Sequence, residues 1–404
     1  PLIIFFRIFK KKEDKKRYKE KFCFPSKKRI NGNLIWFHGS SVGELLSILP
    51  LVQELEKNKS INQILVTTST LSSAQIFKKF SFKKTIHQFF PIDSILFSYK
   101  FLNYWRPTIA IFVESEIWPS IFRALNKKNI PLKLLNARIT KKTFNKWMRV
   151  KKFSNSVFQN ISIAYPQNEE TLNYLKKLNV KKIKKIGNLK FFNNQQSKLT
   201  KLDNTFLKNI NLKKIWCASS THPGEEIICA DVHINLKKKY KNLLTIIIPR
   251  HIHRVNKIVN EIKSLDLNIV LHSSRPKKLN NTDIYLVDTY GETQKFYHSS
   301  DIVFMGKSIS GKGGQNPLEP TNLGSTVLYG PNVDNFKDTY KLLNKLKVAY
   351  KVNGVKTLTQ SIDKLITKPN NKKNYLKIAK MGKKILNETK DEINSLFNNE
   401  IKKT

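Results

Sequence analysis

Cysteine is nearly absent: Cys23, Cys217 and Cys229 are the only three in 404 residues. Their odd number and wide spacing exclude a disulfide framework, a zinc ribbon and a zinc finger, and make a reducing compartment the expectation. Acidic residues are few as well, 29 against 74 Lys plus Arg, for a formal charge of +45 and a pI near 10.1. Glycine (14) and proline (15) are too sparse for a collagen-like or low-complexity polymer. No apolar run in the sequence approaches the ~20 residues that a spanning helix needs. What is plentiful is apolar and aromatic material, 40% and 11% of the chain, enough for real cores and incompatible with disorder throughout. At roughly 100–200 residues per domain, this length predicts two domains or one large one.

The excess charge has two readings. One is an anionic partner: nucleic acid, an acidic membrane surface or a phosphorylated substrate. The other is a Lys-coated surface, because Lys, Asn and Ile recur nearly everywhere, as in 235-NLKKKYKN-242 and 369-PNNKKN-374. No RNA-recognition signature, helix-turn-helix spacing or aromatic-interleaved basic stripe accompanies the charge, so no nucleic-acid partner is expected. The chain opens on Pro1, and PLIIFFRIF runs directly into KKKEDKKRYKEK. Apolar residues beside Lys and Arg predict a membrane-associated segment over 1–30. It reads as the last turns of a truncated anchor with its basic flank on the cytoplasmic side, or as an interfacial anchor on anionic lipid. The alternative is a helix lying on the domain.

The body alternates short apolar runs with longer amphipathic stretches. The runs are 34-LIWFH-38, 64-ILVTT-68, 109-IAIFVE-114, 132-LKLLN-136 and 161-ISIAY-165, then 214-KIWCAS-219, 243-LLTIIIP-249, 269-IVLH-272, 284-IYLVD-288, 302-IVFM-305 and 326-TVLY-329. Their near-continuous hydrophobicity predicts parallel strands covered on both faces, and repeated βα units predict right-handed crossovers. The fold class is therefore α/β, with two Rossmann-like doubly wound domains facing across a cleft. The polar stretch 193-NNQQSKLTKLDNT-205 is the natural boundary. The resulting division is 31–195, a linker over 196–212, a second domain over 213–390 and a basic tail over 391–404.

Several strand ends carry residues suited to chemistry. In 34-LIWFHGSSVGELLSILP-50 a strand ends at His38 and a helix begins near Gly43 or Glu44. A first-turn Glu complements the helix dipole; ionised at neutral pH, it equally suits a general base. In 109-IAIFVESEIWPS-120 the strand runs into Glu114 and Glu116. As strand side chains alternate in direction, one of the two is expected to reach a shared site, and Glu114 has a structural alternative in pairing with Arg138. Lys190, in 186-IGNLKFF-192, closes the first half as a cleft candidate. In 217-CASSTHPGEE-226, Ser219, Ser220 and Thr221 precede a helix start, which reads as an anion cradle or as an ordinary helix capped by Thr221 with Glu225 or Glu226 in its first turn.

The strand 244-LTIIIPRHIHR-254 delivers Pro249 and Arg250, the latter placed to grip a phosphate, while His251 and His253 lack the carboxylate partner of a metal site. In 304-FMGKSISGKGGQNPLEPTNLGSTVLYGP-331, Gly311, Gly313 and Gly314 let backbone approach a ligand. Asn316 then reads as an N-cap, Pro317 as the first helical residue and Glu319 as the third.

Taken in order, HGSSVGE, ESEIWPS, LNARIT, GNLK, ASSTHPGEE, PRHIHR, DTYGE and GGQNPLEP resemble the 3-deoxy-D-manno-octulosonic acid (Kdo) transferases of lipopolysaccharide synthesis, from about Phe5 through Phe336. The resemblance implies an inverting glycosyltransferase of the two-domain GT-B type that moves Kdo from CMP-Kdo to lipid IV(A) at the cytoplasmic face of the bacterial inner membrane. It implies Glu44 as proton acceptor, with Glu116 and Lys190 in transition-state stabilisation. CMP contacts map to Pro249, Arg250, Tyr290, Gly291, Glu292, Asn316, Pro317, Leu318 and Glu319. No cofactor and no metal is implied, and no D-x-D-type metal site is evident in the sequence.

The chain departs from the family's pattern at Gly39-Ser40, Ser115, Ser120, Gln315 and Tyr290, where the family more often has Ala-Val, Thr, Asn, His and Met. None of these removes the proposed base or the phosphate-facing Arg, but Tyr290 would change stacking on the base. The competing expectations are another two-domain nucleotide-sugar enzyme, which need not share ESEIWPS with GNLK, and a basic nucleic-acid-binding protein.

Overall fold

The computed structural model describes residues 7, 13–192, 202–211, 213–368 and 372–403. The apolar start, Arg7 apart, lies outside them, as do residues 193–201 of the expected boundary. Among the described residues, no helix is long and apolar enough to cross a membrane. The chain forms two compact units, Pro1–Phe192 with Met381–Thr404, and Asn193–Lys380.

The first unit is built on six parallel strands: β1 (Leu34–His38), β2 (Gln63–Thr68), β3 (Thr85–Phe89), β4 (Ile109–Val113), β5 (Leu132–Ala137) and β6 (Ile161–Pro166). Their order is β3-β2-β1-β4-β5-β6. The winding reverses between β1 and β4, and a crevice opens at such a reversal beyond the carboxyl ends of the strands. Every residue of β1 and β4 is buried, which is why both read as unbroken apolar runs. Trp36, Phe90, Phe101, Phe112 and Phe122 form the centre of the core. β3 escapes the sequence pattern because His87 and Gln88 interrupt it. Thr68 Oγ1 lies 2.9 Å from His87 Nε2, and Arg17 donates to the His87 carbonyl at 2.8 Å.

The residues ahead of β1 belong to this unit. Glu20 is buried and accepts from Arg17 at 2.7 Å and from the Phe89 N–H at 2.7 Å, and buried Glu13 pairs with Lys21 at 2.7 Å. From residue 13 onward, the stretch expected to be membrane-associated therefore folds against the edge strand β3.

The second unit has seven parallel strands: β7 (Lys214–Thr221), β8 (Leu243–Pro249), β9 (Ile269–Leu271), β10 (Ile284–Leu286), β11 (Ile302–Met305), β12 (Thr326–Tyr329) and β13 (Ala349–Lys351). The order is β13-β12-β11-β7-β8-β10-β9, with its reversal between β7 and β11. β13 is three residues long with two of them exposed, too short and too polar to read from sequence. Part of the expected linker is a helix, Asn204–Asn211, whose Phe206 packs on Tyr285 and Phe296 at 4.7 and 6.0 Å between ring centroids.

The boundary near the end of the chain also differs from the expectation. The helix Lys372–Ile401 is continuous, and from Met381 it belongs to the first unit. There Ile385, Leu386, Ile393 and Phe397 are buried, Tyr165 donates to Glu392 at 2.9 Å, and Asn58 donates to Asn394 at 2.8 Å. The segment read as a basic tail is thus a packed helix, because its apolar residues recur at helical spacing between the lysines.

Candidate active site

In the first unit the loop after β1 turns into the helix Val42–Leu55, with Ser41 as its cap. Ser41 Oγ accepts from the Glu44 N–H at 3.3 Å, and Glu44 Oε2 accepts from the Ser41 N–H at 3.1 Å, a reciprocal capping box. The helix-start reading of Glu44 is thus borne out by the capping box. Its ionisation departs from the sequence expectation. Burial raises its pKa, Glu116 and then Glu114 raise it further, and the N–H bonds from Ser41 and Ser40 offset only part, leaving it at about 7. A carboxylate half-protonated near neutrality is matched to a base that must both take and release a proton.

Glu116 is held the opposite way. Its Oε2 accepts from His38 Nε2 at 3.0 Å, from Trp118 Nε1 at 2.8 Å and from Ser40 Oγ. Burial pushes its pKa up, but His38, Ser40 and Trp118 outweigh that and hold it below the usual range. One carboxylate poised and one fixed as an anion, at the ends of adjacent strands, is the arrangement that separates acid–base work from electrostatic work.

Lys190, read from sequence as a cleft candidate, pairs with a carboxylate of the first unit. Its Nζ lies 2.6 Å from Glu114 Oε1, with the two side chains 20% and 6% exposed. Glu114 follows the last residue of β4 with φ +56°, so strand alternation ends before it and both Glu114 and Glu116 bear on Glu44. Arg138 meets Glu114 through the backbone, its N–H donating to the Glu114 carbonyl at 3.2 Å. Buried Asn136, itself at φ +50°, accepts from the Leu189 N–H at 3.1 Å and so anchors the turn that carries Lys190.

In the second unit the loops after β7 and β11 meet through Glu225. This fully buried carboxylate accepts from the N–H groups of His222 (3.0 Å), Lys307 (2.6 Å), Ser308 (3.0 Å) and Ile309 (3.0 Å). Of the loop expected to cradle an anion after β7, the His222 N–H is taken by the protein's own carboxylate. Thr221 does not cap the helix Glu225–Lys237; Gly224 stands at the cap, and Thr221 donates to Glu226 at 2.9 Å. Glu226 also takes both arms of Arg254, at 2.9 and 3.2 Å. Arg250 is exposed just past β8 and, among the described residues, its guanidinium has no partner. Slight desolvation, and then His222, His253, Arg250 and Arg254, push the His251 pKa down, the mark of a positive patch. Among the described residues, no cluster of three His, Cys, Asp or Glu is arranged to hold a metal.

Tyr290 is 78% exposed beyond β10 and precedes Gly291 at φ +85°. Glu292 is engaged: burial pushes its pKa up, but Lys295 at 2.6 Å, Thr289 and His272 at 2.8 Å bring it to about 2. In the glycine-rich stretch, Gly313 and Gly314 have φ +89° and +66° and lie against Asn335 and Val333, so a side chain fits at neither. The helix start is one residue later than the sequence suggests. Asn316 accepts from the Leu318 N–H at 3.2 Å, and the helix is only Leu318–Asn322, so its dipole is small.

Residues 16–193 match the family described as 3-deoxy-D-manno-octulosonic-acid transferase (kdotransferase). A 3-deoxy-D-manno-octulosonic acid transferase of Rickettsia bellii is 34% identical over 407 residues, covering 98% of this chain and 96% of the relative. The chain belongs to the 3-deoxy-D-manno-octulosonic acid transferase family. Two solved structures share the fold of this Kdo transferase family member. A glycosyltransferase from Rickettsia africae has a TM-score of 0.56 at 14% identity, over 93% of this chain and 100% of its own. A UDP-N-acetylglucosamine 2-epimerase from Listeria monocytogenes, described as putative, has 0.59 at 12% identity, over 92% and 98%. Kdo transferases are glycosyltransferases, and the two parallel sheets are the two-domain α/β architecture expected of one. His38, Ser40, Trp118, Asn136 and Glu225 take part in these sites without having been singled out for that work by their sequence context. The motifs hold all five, but only the fold shows what they bond to.

Proposed function

We propose that this chain is an inverting Kdo transferase that uses CMP-Kdo as donor and a hydroxyl of lipid IV(A) as acceptor, at the cytoplasmic face of the bacterial inner membrane. Glu44 takes the proton of the attacking hydroxyl as its oxygen bonds to the anomeric carbon and the bond to the CMP phosphate breaks. Glu116, fixed as an anion, stabilises the positive charge that develops on the sugar ring. Lys190 acts from its ion pair with Glu114. In the second unit, Arg250 and the turn at Asn316–Glu319 receive the phosphate of departing CMP. Pro249, Tyr290 and Gly291 frame the nucleotide, and Glu292 shapes their loop through Lys295 and His272. The observation that carries this reading is the pair of carboxylates, Glu44 raised and Glu116 lowered, on neighbouring loops at the switch point of the first sheet.

An exposed apolar patch in the same unit supports the membrane part of the reading. Phe24, Ile95 and Leu96 are 58%, 58% and 73% exposed, and Lys100 lies over the Phe24 ring at 3.9 Å. Exposed apolar side chains beside a lysine suit an anionic lipid surface.

The test is CMP release from CMP-Kdo, with and without lipid IV(A) in detergent, for the wild type and Glu44→Gln. Acceptor-dependent release that collapses in the variant is the expected result. Release that survives the change moves the base elsewhere, and absence of CMP-Kdo binding by the folded wild type overturns the donor assignment.

A further inference from the structure

His38 ends β1 with no exposed surface, and every part of its ring is engaged. One face stacks on Phe90 with ring centroids 3.7 Å apart at 22°, and Phe112 meets it edge-on at 5.1 Å. Nδ1 lies 3.0 Å from Thr67 Oγ1, and that hydroxyl oxygen accepts from Trp36 Nε1 at 2.9 Å. Nε2 lies 3.0 Å from Glu116 Oε2. A carboxylate oxygen can only accept here, so Nε2 carries the hydrogen, while Nδ1 faces both the Thr67 hydroxyl and the Thr67 carbonyl, the latter at 3.2 Å, and that hydroxyl also reaches the Phe37 carbonyl at 3.3 Å. Burial keeps the ring below its ordinary pKa, against the pull of Glu116 and of the Thr67 carbonyl.

The chain of bonds runs from the buried indole of Trp36, through Thr67 and His38, to one oxygen of a carboxylate at the site. That oxygen also accepts from Ser40 and Trp118, so three donors converge on it. With three donors on Oε2, neither a proton nor a substrate donor has room there. Among the described residues nothing bonds Oε1, and the Glu116 side chain is 12% exposed. His38 has the Thr67 backbone carbonyl within reach of Nδ1, as a core histidine would, but its Nε2 is directed at the carboxylate of the site.

We propose that His38 is a positioning residue of the transfer site: held by Phe90 and Thr67, it fixes Glu116 with Oε2 turned inward and Oε1 left as the atom that meets the reacting sugar. This rests on the reading of Glu44 and Glu116 as the transfer carboxylates. The charged groups that bear on the pair are Glu114 with its partner Lys190, together with Glu44 and Glu116 themselves. In the wild type Glu116 is held below the ordinary carboxylate range, so Glu44 governs the acid limb of the rate.

The test compares His38→Phe, which keeps the stack and loses both nitrogens, with His38→Gln, which keeps an N–H donor on a side chain of similar reach. Acceptor-dependent CMP release is measured across pH. His38→Phe is expected to lower kcat by about 10–100-fold with the donor KM within about threefold. Its acid limb moves to higher pH and steepens, because Glu116 and Glu44 then lose protons in one range. His38→Gln is expected to recover most of kcat. A His38→Phe enzyme within twofold of wild type, or an unmoved pH profile in both variants, overturns the proposal. Titration of carbon-13-labelled glutamate by NMR gives a readout independent of turnover. The Glu116 carboxyl is expected to titrate below the ordinary range in wild type and to rise in His38→Phe, and an unchanged Glu116 overturns the proposal. Wild-type protein that releases no CMP, but whose Glu116 titration responds to His38, refutes the transferase reading and leaves the positioning role intact. Should His38→Phe fail to fold, Thr67→Val removes the hydroxyl against which Nδ1 rests and is expected to move kcat and the profile the same way by a smaller factor.

Discussion

Glu44 couples activity to stability in a direction that can be worked out. Folding raises its pKa from the ordinary carboxylate range to about 7. Between those values the native state binds the extra proton, so its contribution to stability is full below the unfolded pKa and is lost as pH rises through about 7. Glu44→Gln removes the repulsion with Glu116 and Glu114. At pH 8 the variant should be more stable than wild type by about 1–3 kcal/mol, with a Tm higher by a few degrees, yet inactive. Melting curves at pH 5 and pH 8 check this: the gain is expected at pH 8 alone, and an equal gain at both places the effect elsewhere. Glu225 gives the contrasting case, since its carboxylate satisfies N–H groups at Lys307, Ser308 and Ile309. Leaving such buried donors unpaired costs about 1–3 kcal/mol each. Glu225→Ala should therefore lower Tm and weaken CMP binding by at least tenfold in calorimetric titration, with Glu225→Gln between the two. CMP affinity unchanged in Glu225→Ala would detach that loop from the nucleotide.

Among the elements, the helix Lys372–Ile401 is the one whose role is easiest to perturb. Gly382 lies against the backbone carbonyl of Phe191, and an added Cβ meets that oxygen rather than a flexible side chain. Gly382→Ala should lower Tm by more than a surface Gly→Ala change, and Gly382→Val more again, measured by thermal melts with CMP binding as a control on the second unit. The strands were legible in the sequence because helices cover both faces of the sheets and leave long apolar runs. β1, β4, β7, β8, β11 and β12 stand within about two residues of their predicted spans. β3 and β13 were not, since His87 and Gln88 interrupt the first and the second is three residues with two exposed. The helix itself was seen in 375-YLKIAKMGKKILNE-388, but periodicity does not say which unit a helix packs on.

For the whole molecule, the family's motif order made the Kdo transferase fold and the proposed base readable from the chain alone. The partners of Lys190, Glu116 and Glu225 were not, because they depend on left-handed turns at Glu114, Ser220 and Lys307, which sequence does not announce at non-glycine positions. A net charge of +45 has a consequence on the molecular scale. Binding to vesicles of phosphatidylglycerol and phosphatidylethanolamine should weaken steeply between 0.05 and 0.5 M salt, order-of-magnitude settings at which screening lengths shrink. Leu96→Asp should weaken it further at every salt concentration, measured by flotation. Binding that ignores Leu96→Asp, but follows salt equally for duplex DNA, would favour a general polyanion surface.

The crossing of the final helix sets an order on synthesis. The first unit's sheet leaves the ribosome early, but Ile385, Leu386, Ile393 and Phe397, which complete its packing, emerge only after the intervening Asn193–Lys380 has been made. At roughly 5–20 residues per second that delay is on the order of 10–40 s. During that interval the nascent first unit shows an apolar face with nothing to cover it, while the second unit, encoded later, has almost its whole sequence in hand before the first is closed. The half translated first is thus the half finished last, and a chaperone that binds the nascent chain would be expected to hold on to it.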